Sequence, residues 1–112
     1  MWTRGLSGEE LDPSELAVFQ SIAEALFSKE SARYNRALLI SGVPPQGIIE
    51  RNANLIYAYP GLGRAWAAWT GFYRGHEHSQ SFRDYLDSID TIIRELELGT
   101  RDALPHSTYA PM

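Results

Sequence analysis

The sequence predicts an all-α protein: a four-helix antiparallel bundle followed by a disordered C-terminal tail. Three observations lead there. Apolar residues recur at three- and four-residue spacing through four segments, Gly/Pro clusters separate those segments, and no stretch alternates apolar and polar residues long enough to form a strand. The chain's 112 residues suffice for one hydrophobic core and not for two. Residues 1–99 therefore read as one helical domain and 100–112 as its tail.

The first helix has the clearest start. In Asp12-Pro13-Ser14-Glu15 an aspartate side chain can accept from orphan amides, proline suits the first helical position, and Glu15 can reach back as in a capping box. From Pro13 the positions Leu16, Phe19, Ala23, Leu26, Phe27, Tyr34 and Leu38 keep helical spacing until Ser41-Gly42-Val43-Pro44-Pro45 stops them. Glu15 and Glu24 lie in its first half and Lys29, Arg33 and Arg36 in its second, a polarity that complements the helix dipole.

Pro45 can open a second helix with Ile48, Asn52, Leu55, Ile56 and Tyr59 on one stripe, and Pro60 then ends it or begins the next. After Pro60-Gly61 the residues Leu62, Ala65, Trp66, Trp69, Phe72 and Tyr73 give a short helix with an aromatic face. Gly75-His76-Glu77-His78 reads as a polar loop. Ser79 or Ser81 then caps a fourth helix with the cleanest stripe of the chain, Phe82, Tyr85, Leu86, Ile89, Ile92, Ile93 and Leu96, closed by Gly99. From Thr100 two prolines, no period and few large apolar groups predict disorder. At the other end Trp2-Thr3-Arg4-Gly5-Leu6-Ser7-Gly8 reads as the end of a helix entering a glycine loop, as though a preceding element were missing.

Composition narrows the function classes. Ten basic and fourteen acidic side chains leave a net charge of -4, which argues against a dedicated nucleic-acid-binding domain. The absence of cysteine excludes disulfides, thiolate metal sites and cysteine nucleophiles. There is no run of about 18 apolar residues and no signal-peptide core, so the chain as written is expected to be soluble and cytoplasmic. Gly61 and Gly63 do not make a dinucleotide fingerprint, and no phosphate-binding loop or nucleophile elbow is present.

A resemblance adds to this. Gly5-Leu6-Ser7-Gly8, then Leu11-Asp12-Pro13-Ser14-Glu15, then Ala25-Leu26-Phe27 with Tyr34, then Gly42 with Pro45, and finally Pro60-Gly61-Leu62 with Trp66 and Ser81-Phe82-Arg83-Asp84-Tyr85-Leu86 form a succession. It resembles the soluble helical region of a group of small uncharacterised bacterial membrane proteins, in which an N-terminal membrane helix precedes a helical domain. The resemblance runs from about Gly5 to Asp87. It implies that this chain corresponds to the part beyond a membrane anchor, with the anchor absent here. It implies no reaction, cofactor or catalytic residue.

Candidate chemistry is sparse. His76-Glu77-His78 has the wrong spacing for a helical metal pair and no evident third ligand, and His106 falls in the tail, so no metal site is expected. Asp84, Asp87 and Asp90 recur at spacing three, but Asp90 can pair with Arg94 and Asp84 suits a helix N-terminus, so they read as a solvated face. Glu30 and Asn52 fall where apolar residues belong. A buried polar network of Glu30, Tyr34, Asn52 and Arg64, with Arg33 as a further partner, would satisfy them and fix helix register. The aromatic residues Trp66, Trp69 and Tyr73, with Trp2 at the other end of the chain, are either core or a docking face for a protein partner or a second copy. Lys29, Arg33, Arg36, Arg51 and Arg64 make the middle of the chain basic, which permits contact with acidic lipid headgroups. The expected function is a non-enzymatic helical interaction module, without cofactor. The alternative is a small-molecule sensor or enzyme with a polar site inside the bundle.

Overall fold

The computed structural model describes residues 1–74 and 79–105, and they fold as an all-α domain. The elements are α1 (Trp2–Leu6), α2 (Pro13–Ser41), α3 (Gln46–Ala58), α4 (Pro60–Arg74) and α5 (Gln80–Leu98). The last four are the helices expected from spacing. The short α1 makes a fifth and sits where the sequence reads as a helix end.

Boundary chemistry sets the helix limits. Asp12 Oδ1 accepts from the Glu15 amide at 2.8 Å, with Pro13 in the first helical position. Ser79, the nearer of the two expected caps, accepts from the Phe82 amide at 3.3 Å. Left-handed Gly42 and Gly99 close α2 and α5. α3 starts at Gln46 with Pro45 as its cap, and extended Tyr59 separates it from Pro60, which opens α4.

At 1.5 Å per residue the 29 residues of α2 span about 43 Å, the longest extent of the molecule. α4 lies along α2 in the same direction: Phe19 packs at Gly61, Gln20 donates to the Ala65 carbonyl, and Phe27 meets Trp69. α3 is the most enclosed element, burying Ile49 and every residue from Asn52 to Ile56. The core joins Phe19, Phe27, Tyr34, Ile49, Leu62, Trp66, Trp69, Tyr85, Leu86 and Ile89.

Two inward expectations are corrected. Leu16, assigned to the buried stripe of α2, is exposed: it borders an open cleft shared with Glu9, Glu10, Leu11 and Phe19, which the loop after α1 does not fill. Phe72 is also exposed: with Trp66, Trp69 and Tyr73 turned inward, it falls at the outer edge of a stripe too wide for one face of α4. Just past Gly99 the chain makes contacts with α3 and α5. Arg101 bridges Glu50 and Glu95 at 2.9 Å each, and the Leu104 amide donates to Asn54 Oδ1 at 2.9 Å. These contacts satisfy groups that α3 and α5 leave open, a role that low apolar content and prolines do not reveal. Residues 106–112, the rest of the expected tail, lie outside the described residues, as do His76, Glu77, His78 and His106.

Candidate interaction surface

The polar residues expected inside the bundle divide into two places. Glu30 on α2, Asn52 on α3 and Tyr85 on α5 meet at one point. Asn52 Nδ2 donates to Tyr85 Oη at 3.1 Å and to Glu30 Oε2 at 3.4 Å. Arg51 and Arg33 close on the same carboxylate at 3.4 and 3.5 Å. Tyr34 joins through its ring, 4.9 Å from that of Tyr85. Burial pushes the Tyr85 phenol well above its ordinary value despite the Asn52 hydrogen bond, and the Glu30 charge adds to the rise. Tyr34 moves the same way, through burial first and Asp84 second.

Arg64 is not part of this cluster. Its guanidinium donates to the Gly8 carbonyl at 2.6 Å and pins the loop after α1, so its place in the expected network is corrected. Tyr85 takes that place. In the sequence it is one member of an apolar stripe, and only its hydroxyl distinguishes it.

The space among Leu26, Phe27, Glu30, Asn52, Leu55 and Tyr85 is about 10 Å³, at the lower limit for one water molecule. Its polar groups face one another. This point can hold three helices in register; it offers no volume for a substrate.

The aromatic residues expected as a docking face are largely interior. Trp66 and Trp69 are each 4% exposed, packed on Phe27 and on each other, so as an outward face they are corrected to core. The Trp66 indole N–H donates to Asp90 Oδ1 at 2.8 Å, and Arg74 pairs with both Asp87 and Asp90. Asp90 thus faces Arg74 and Trp66 rather than Arg94, because α4 packs beside it. Trp2 is half-buried on Phe19, ring centroids 5.0 Å apart, and Tyr73 is half-buried against Trp69.

The outward apolar surface lies elsewhere, on α2. Val18 and Ile22 near its start are 50% and 43% exposed, and Leu39 and Ile40 at its end are 85% and 87% exposed. Ala25 and Ala32 continue the row between them, interrupted by exposed Lys29 and Arg36. α2 therefore carries apolar groups on two faces, one turned to the core and one to solvent. The signal was present in the sequence as apolar residues all around the helix, but reading for a single inward stripe passes over Val18, Ile22, Leu39 and Ile40.

Comparison with family models, with curated proteins and with solved structures gave no match. Among the described residues no helix is long and apolar enough to cross a membrane.

Proposed function

We propose that this chain is a non-enzymatic helical interaction module that works by protein contact through the outer face of α2. The observation that carries this reading is the row of exposed apolar residues from Val18 to Ile40 on a helix whose opposite face already fills the core. Val18 with Ile22 and Leu39 with Ile40 make two exposed apolar pairs at the two ends of one helix, which supports an interface there over an ordinary solvated helix. The interior polar residues supply register, since their space of about 10 Å³ holds no ligand.

The resemblance to soluble regions of small bacterial membrane proteins supports a second element of the proposal, that the module is the extramembrane part of a membrane-associated protein. The basic residues Lys29, Arg33 and Arg36 on α2 are compatible with acidic headgroups nearby. An apolar stretch of about 20 residues encoded upstream would support the anchor, and a polar upstream sequence would remove it.

Photo-crosslinking in living cells tests the module. A crosslinker placed at Ile22 or Leu39 should give discrete protein adducts, whereas one placed at Arg83 or Thr91 on α5 should not. Absence of adducts from both α2 positions overturns the reading.

A further inference from the structure

One line of exposed residues on α2 follows a strict repeat, flanked by exposed Ala17, Ser21, Ser28 and Asn35. Val18, Ile22, Ala25, Lys29, Ala32, Arg36 and Leu39 are separated by four, three, four, three, four and three residues, and every one is exposed. Alternation of four and three is the spacing of a coiled-coil seam, which keeps one line of side chains facing a partner helix over its whole length. It continues for three heptads, about 30 Å of helix. Phe19, Ala23, Phe27 and Tyr34 on the opposite side are buried, so the seam is separate from the residues that hold the bundle together.

Charge chooses the partner and its direction. Glu15 and Glu24 lie in the first half of α2 and Lys29, Arg33 and Arg36 in the second. Glu15 is bound to Arg4, and Arg33 approaches Glu30. Glu24, Lys29 and Arg36 have no ionic partner among the described residues. A second α2 running parallel would set like charges together, whereas an antiparallel one sets the acidic half of each helix against the basic half of the other. Small residues at the middle of the seam, Ala25 and Ala32, allow two backbones to approach.

Resting on the interaction-module reading above, we infer that the partner is a second copy of this chain, docked antiparallel through α2 about a two-fold axis between Ser28 and Lys29. In this register Val18 packs against Leu39 of the second copy and Ala25 against its Ala32. Arg36 of the second copy comes opposite Ser21, within one turn of Glu24. Lys29 lies near the axis beside Ser28 and Lys29 of the second copy, where its charge opposes tight association; it and Arg36 are the two polar residues of the seam, and polar seam positions restrict the register a pair can take. An isologous contact of this kind closes on itself and stops at a dimer.

Sedimentation of the full chain from about 5 to 500 μM tests this, with circular dichroism to check that each variant keeps its helix content. The chain should pass from monomer to dimer within that range. Leu39→Glu should weaken the dimer about tenfold or more, and Lys29→Leu should tighten it. Glu24→Arg and Arg36→Glu should each weaken it several-fold, and the double variant should recover to within about twofold of the original, because both contacts are restored with reversed sign. A chain that stays monomeric throughout, or a double variant no tighter than its parents, overturns the antiparallel dimer. Adducts to a different protein from Ile22 or Leu39 in a chain that stays monomeric would leave the module reading standing while removing this one.

Discussion

Gly61 at the start of α4 lies directly against the backbone carbonyl of Gly5 in α1, so closely that a methyl group on Gly61 would overlap that oxygen. A methyl on Gly5 would likewise run into the ring of Phe19. Two glycines thus let α1 settle between α2 and α4, which brings Trp2 onto Phe19 and closes that end of the core.

Gly61 and Gly71 of α4 should therefore respond oppositely to the same change. Gly61→Ala pushes first against the Gly5 backbone, which cannot swing aside as a side chain can, and should destabilise the fold by about 1–3 kcal/mol, with loss of Trp2 packing. Gly71→Ala meets open space in an exposed helical turn and should stabilise by about 0.5–1 kcal/mol. Chemical denaturation with tryptophan fluorescence checks both. Equal effects of the same sign would contradict the close crossing of α1 and α4.

The Glu30–Asn52–Tyr85 point makes a prediction about alkaline pH. Burial raises the Tyr85 phenol above its unfolded value of 10.0, and Tyr34 is raised as well, so the folded chain keeps protons that the unfolded chain releases. Their contribution is complete below pH 10 and is lost as pH rises beyond it. Stability should be level with respect to these groups up to that point and fall above it. Tyr85→Phe should make the fall shallower while costing about 1 kcal/mol at neutral pH through the lost Asn52 hydrogen bond. Denaturation midpoints measured between pH 7 and about 11.5 test this; an unchanged alkaline slope in Tyr85→Phe would remove Tyr85 from the account.

A prediction at acid pH concerns the N-cap of α2. Asp12 is held below its ordinary 3.8 chiefly by the Glu15 amide and then by the Ser14 hydroxyl. Its lowered value means a stabilising contribution present above pH 3.8 and lost as pH falls below it. Asp12→Asn keeps an acceptor for the amide, so it should retain α2 while losing this part of the acid dependence. Helix content followed by circular dichroism from pH 5 to about 2 checks it.

How much of this was legible in the sequence depended on the kind of signal. Asp12-Pro13 and Gly42 mark both ends of α2 because capping is local chemistry, readable from a few adjacent residues. The α5 stripe from Phe82 to Leu96 was legible because one face of that helix is polar and the other apolar. Glu30 and Asn52 were recognisable as partners-in-waiting, since a polar group on an apolar stripe needs satisfaction. Which groups satisfy them was not, because the choice of Tyr85 over Arg64 depends on how α3 and α5 cross. The outer seam of α2 was hidden by its own completeness, with Leu38 facing in and Leu39 and Ile40 facing out in one unbroken apolar run. Trp66 and Trp69 look alike as core or as interface until the bundle closes over them.

The last prediction concerns Asp90, which takes the Trp66 indole N–H and one arm of Arg74. Trp66 is buried and its N–H relies on this carboxylate for its acceptor. Asp90→Ala leaves that donor unpaired and also frees Arg74 from one of its two partners, and the unpaired buried donor dominates the cost, about 1–3 kcal/mol. Asp87→Ala removes only the more exposed arm of the same pair and should cost well under 1 kcal/mol. Asp90→Asn keeps an acceptor for the indole and loses only charge, so it should fall between the two. Urea denaturation orders the three variants, and an NMR spectrum of the indole protons gives a second reading: the Trp66 signal should shift most in Asp90→Ala and hardly in Asp87→Ala. Equal costs for Asp87→Ala and Asp90→Ala, with the Trp66 signal unmoved, would mean that the carboxylates act only as a diffuse acidic face and that the indole is satisfied some other way.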